Sequence, residues 1–64
     1  MEQRYNLMKN NKCIGTYTGF QVEMLCMKWA EKWLKKHPKD RDCLYIQLTA
    51  KYMENNNLKF IKAN

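Results

Sequence analysis

The sequence predicts an α+β fold with the order ββαββ: a four-stranded antiparallel sheet with one amphipathic helix packed on one face. Three observations lead there. Apolar and polar residues alternate in residues 3–18, again from Cys43 to Lys51, and from Leu58 to Ala63. Between the first two stretches, Gly19 to about His37 holds no internal breaker and repeats its apolar positions at helical spacing. Polar clusters of Asn, Asp and Lys divide these stretches, and no linker or internal repeat remains, so residues 1–64 are expected to form a single domain.

The first element is a hairpin. Asn10-Asn11 stands where a two-residue turn needs positive φ, which pairs Lys9 with Lys12, Met8 with Cys13, Leu7 with Ile14 and Tyr5 with Thr16. Tyr5, Leu7 and Ile14 then share the inner face, with Gly15 and Tyr17 on the other. A helix follows, with Thr18 as N-cap and Gln21 completing a capping box. Pro38 ends it, because the residue before proline is pushed out of the α region. At 3.6 residues per turn, Val22, Leu25, Cys26, Trp29, Ala30 and Trp33 fall within an arc of about 140°. Phe20, Met24, Met27 and Leu34 widen the apolar zone, and Lys28, Lys32, Lys35 and Lys36 gather opposite the tryptophans. After the polar turn Lys39-Asp40-Arg41-Asp42, Leu44, Ile46, Leu48 and Ala50 alternate with Tyr45, Gln47 and Thr49, which predicts a third strand. Glu54–Asn57 reads as a turn, and a last strand runs from Leu58 to Ala63 with Leu58 and Phe60 facing in.

Composition narrows the function classes. At 64 residues the chain buries only about 60% of the surface its unfolded form exposes, leaving little room for a deep substrate cavity. Twelve Lys and Arg against six Asp and Glu give a net charge of +6, and 45% apolar content opposes disorder. No apolar run reaches the roughly 18 residues of a membrane span, and Met1–Asn6 has no signal-peptide core. Three scattered cysteines, an odd number, are unlike a disulfide framework, so a cytoplasmic protein with reduced thiols is expected. The abundance of Lys and Asn fits an AT-rich bacterial or phage genome.

No catalytic or metal motif emerges. Cys13, Cys26, His37 and Cys43 are spaced C-x12-C-x10-H-x5-C, without the paired knuckles of a zinc site. His37 lies about 16 Å along the helix from Cys26, too far for a nucleophile and its base. Gly15 and Gly19 begin no phosphate-cradling loop. Neither a cofactor nor a metal is expected, and the chain reads as a non-enzyme.

The remaining chemistry is that of binding. Lys28, Lys32, Lys35 and Lys36 form a row that can face phosphates or an acidic protein surface. Ten of the twelve cations are Lys, whereas Arg is the better fork for guanine edges, so base-specific reading is not expected. Phe20, Met24 and Met27 exceed what one four-stranded sheet can bury and mark a partner or dimer surface. Tyr45 and Tyr17, on the open face of the predicted sheet, offer aromatic contacts to bases or to protein.

The opening Tyr5-x-Leu7-x-Lys9-Asn10-Asn11-Lys12-x-Ile14-Gly15-Thr16-Tyr17-Thr18 resembles the starts of short accessory proteins from Gram-positive phages and mobile elements. Those run as a Tyr-rich strand, an Asn-Gly type turn and Ile-Gly-Thr before a helix. Here Asn11 replaces the usual glycine, and the helix lacks a helix-turn-helix pattern. The resemblance implies an anti-CRISPR or other anti-defence inhibitor that works by occupying a host protein, a class without a shared active site. The resulting expectation is a binding protein that covers an acidic or nucleic-acid-binding surface of a host protein. Direct nucleic-acid binding through the lysines is the alternative, and a homodimer through the apolar rim a third possibility.

Overall fold

The computed structural model describes residues 3–63 and has the order ββααβ. Strands β1 (Arg4–Lys9) and β2 (Lys12–Thr18) lead into α1 (Gly19–Lys36). A 3₁₀ turn (Pro38–Asp40), α2 (Tyr45–Asn55) and β3 (Leu58–Ala63) follow. The sheet has three antiparallel strands in the order β2-β1-β3. The α+β class agrees with the sequence, but the four-stranded sheet under one helix is corrected: one predicted strand is a second helix.

Two periodicities compete in that segment. Leu44, Ile46, Leu48 and Ala50 alternate, while Tyr45, Leu48, Thr49, Tyr52 and Met53 repeat at i, i+3, i+4, i+7 and i+8. The helical one wins because Gln47, Leu48, Ala50, Lys51, Met53 and Glu54 all favour helix. Its ends are also satisfied. Gln47 Oε1 accepts from the Leu44 N–H at 3.0 Å, and the Asn56 N–H donates to the Tyr52 carbonyl at 3.1 Å. Asn57, at φ 55°, takes the left-handed position just past the helix. Leu48 and Thr49 are therefore buried, whereas Leu44 (67% exposed) and Ile46 (76%) point outward, not into the core.

The hairpin turn forms as expected, with φ of 51° at Asn10 and 67° at Asn11, Lys9 opposite Lys12 and Met8 opposite Cys13. Beyond Met8 the register shifts by one residue. Leu7 faces Gly15 and Tyr5 faces Tyr17, not Ile14 and Thr16. Ile14 is the extra residue and is exposed, while Gly15 and Tyr17 move to the inner face with Leu7. The Tyr17 ring folds over Gly15: a Cβ there would lie 2.8 Å from Tyr17 Oη.

The predicted capping box holds α1, with Gln21 N–H donating to Thr18 Oγ1 at 3.3 Å and Thr18 N–H to Gln21 Oε1 at 2.9 Å. Trp29 centres the core. Its ring stacks with Tyr52 of α2 at 5.6 Å and with Phe60 of β3 at 5.7 Å, next to buried Leu7, Ala30 and Leu48. Thr49 Oγ1 lies 3.1 Å from the Cys26 carbonyl and 2.9 Å from that of Tyr45, so its one proton is shared between an acceptor on α1 and one in its own helix. Cys26 meets Thr49 and Trp29 meets Tyr52, three residues further along each helix, so the helices run parallel. The link between them must double back. Asp40 fastens it, accepting at Oδ2 from Trp33 Nε1 at 2.7 Å and from Lys51 Nζ at 3.2 Å.

Candidate partner-binding surface

Parallel packing brings the beginnings of both helices to one end of the molecule. There α1 presents Phe20, Met24 and Met27, all exposed, and the start of α2 presents Leu44, Tyr45 and Ile46. A groove of about 350 Å³ runs between them, lined by Val22, Glu23, Cys26, Met27, Tyr45, Ile46 and Thr49. The Thr49 hydroxyl is already engaged, so Glu23 is the one charged group among those lining residues. This is the most apolar of the grooves at the surface of the described residues, which makes it the candidate contact site. Burial, and secondarily the Glu23 charge, pushes the Cys26 thiol above its ordinary range.

The lysines lie along α1 and are all exposed, but they divide. Lys32, Lys35 and Lys36 rim a cleft of about 410 Å³ with Trp33, His37, Tyr52, Asn55 and Asn56. Lys28 lies outside that cleft, one turn from Met24. Both helices end near the cleft, so their negative dipole ends point at it and the lysines offset them. A phosphate placed there would oppose two carbonyl termini. Within this cleft the rings are already stacked, Trp33 on His37 at 3.9 Å and Tyr52 on Trp29 at 5.6 Å.

Of the residues expected to bind a partner, Met27 and Tyr45 line one groove, and Phe20 and Met24 are exposed on the same half of α1. Lys32, Lys35 and Lys36 sit on its other half, with Lys28 between. Tyr17 closes β2 just before α1 and lines neither the groove nor the cleft. The expectation that Tyr17 and Tyr45 share the open face of the sheet is corrected, because the bulge turns Tyr17 inward and Tyr45 belongs to α2. The open face instead carries Asn6, Met8, Thr16, Lys59 and Ile61, with Thr16 Oγ1 donating to Asn6 Oδ1 at 2.8 Å. Sequence reasoning missed Leu44 and Ile46, which it assigned to the core. The signal was the helical repeat beginning at Tyr45, which leaves both residues off the buried stripe.

Among the described residues no group of three or more His, Cys, Asp or Glu is placed to hold a metal ion. None of the described helices is long and apolar enough to cross a membrane. Comparison with protein-family models, with curated proteins and with solved structures returns no match for this chain.

Proposed function

We propose that this chain is a small non-enzymatic binding protein of a phage or mobile element. It acts in the bacterial cytoplasm by occluding a surface of a host protein, such as a nucleic-acid-processing or defence complex. One observation carries the reading: six large apolar side chains are exposed, Phe20, Met24 and Met27 on the first half of α1 and Leu44, Tyr45 and Ile46 at the start of α2. Exposed apolar contact of this kind suits a protein partner far better than a phosphate backbone. The lysines of α1 add steering toward an acidic surface, through the +6 charge.

The experiment is capture of host proteins on the immobilised chain, compared with Ile46→Lys and with Lys32→Glu/Lys36→Glu. Recovery of one protein by the wild type, lost with Ile46→Lys and weakened by the lysine reversal, supports the reading. Equal recovery by all three removes it. Direct nucleic-acid binding, favoured by the Lys32–Lys35–Lys36 cleft, predicts retardation of single- or double-stranded probes in a gel at low salt that fades as salt rises.

A further inference from the structure

The outward face of α1 has a pattern that the fold does not use. Phe20, Met24, Met27, Glu31 and Leu34 are spaced four, three, four and three, the stripe of a two-helix seam. The exposed positions flanking such a stripe are Glu23 on one side, where the next, Ala30, is buried in the core, and Gln21, Lys28 and Lys35 on the other. In a parallel pair each flanking residue meets the one five positions further along its neighbour. That rule sets Glu23 against Lys28 of the second helix, and Lys28 against its Glu23. In an antiparallel pair Lys28 would instead face lysines. The stripe is thus charge-complementary to itself in one orientation only.

The dimensions of the molecule agree. Its accessible surface is 5248 Å², where a compact monomer of 7.8 kDa exposes about 4400 Å². The radius of gyration is 12.3 Å, against about 10.7 Å for a compact domain of this length. It is a slab 38 × 25 × 13 Å, so more of its surface lies open than in a compact domain of this length.

We propose that the chain forms a parallel two-fold dimer in which α1 pairs with α1 of a second copy along Phe20, Met24, Met27 and Leu34, with Glu23 and Lys28 exchanging ion pairs. Glu31, within the stripe, meets its own counterpart and limits the affinity. The dimer also completes the groove described above, because Lys28 of the second copy neutralises Glu23, its charged lining residue. The seam takes Phe20, Met24 and Met27 out of the exposed apolar surface and leaves Leu44, Tyr45 and Ile46 available. The inference does not rest on the host-protein reading.

Sedimentation equilibrium of the full chain, up to about 1 mM, tests it. The mass rises from 7.8 kDa toward twice that value. Glu23→Lys or Lys28→Glu alone weakens association about tenfold, and the two together restore it. Glu31→Leu tightens the dimer, while Lys32→Leu, off the stripe, leaves it unchanged. These side chains are exposed, so unchanged far-ultraviolet circular dichroism confirms that each variant folds. A 7.8 kDa species at every concentration overturns the dimer. A dimer indifferent to the charge swap and to Glu31→Leu overturns the seam. No host protein enters the measurement, so either failure leaves the host-protein reading standing. Loss of capture specificity in an intact dimer removes that reading alone.

Discussion

Asp40 is where single-residue chemistry most affects this fold. Its carboxylate accepts from the Trp33 indole and from Lys51, and these two bonds, the indole's first, hold its pKa below the ordinary 3.8. A carboxyl whose folded pKa lies below its unfolded value stabilises the native state above that unfolded value. The contribution is lost as pH falls through the folded pKa. Thermal midpoints measured from neutral pH downward will therefore fall more steeply below about pH 3.8 in the wild type than in Asp40→Asn. Gly15 makes a second residue-scale case. Gly15→Ala forces the Tyr17 ring off the sheet and costs about 1 kcal/mol in denaturant unfolding. The same stacking shifts the Gly15 α-protons upfield in the wild type, a signature that Tyr17→Ala erases. Asn10-Asn11 was legible in the sequence because only a residue tolerant of positive φ serves there. The bulge one pair away was not, since Ile14 is apolar and nothing in the local pattern distinguishes an inward strand residue from an extra one.

At the scale of elements, the hairpin, α1 with its capping box, and β3 follow from local patterns, and α2 shows why local patterns are insufficient. A short segment with apolar residues at 44, 46, 48 and 50 satisfies a strand, but the same segment with 45, 48, 49, 52 and 53 satisfies a helix. The choice is made by what lies across from it. Tyr52 reaches Trp29, and Thr49 reaches the Cys26 carbonyl, only from a helix parallel to α1. Thr49→Val keeps the shape and removes the hydroxyl, leaving the Cys26 carbonyl without that donor. Urea unfolding should show a loss of about 1 kcal/mol, with hydrogen exchange in α2 accelerated more than in the hairpin. Trp29→Ala strips the core of its central ring at a cost of about 3–5 kcal/mol. That approaches the roughly 3–10 kcal/mol a chain of this length possesses, so the variant will be largely unfolded by circular dichroism at room temperature.

Over the whole molecule, the candidate site was half legible. Phe20, Met24 and Met27 stand out in the sequence because the apolar arc of α1 is wider than one covering layer. The contribution of Leu44 and Ile46 depends on the tertiary choice of helix over strand, which the sequence alone left open. The strand order β2-β1-β3 and the doubled-back link from His37 to Leu44 have a consequence of their own. The central strand belongs to the first part of the chain, and one of its two neighbours to the last. The link between α1 and α2 carries Lys39 and Arg41, both exposed, while most of the other lysines lie in helices or strands. Brief trypsin treatment will therefore cut there first, and the two pieces will stay together, since the second supplies an edge strand and both rings that sandwich Trp29. Separated peptides covering 1–41 and 42–64 should reassemble on mixing, with a blue shift of tryptophan emission as Trp29 is buried again. Reassembly would make this small protein a two-part complementation system, its continuous backbone serving to keep the halves at high local concentration.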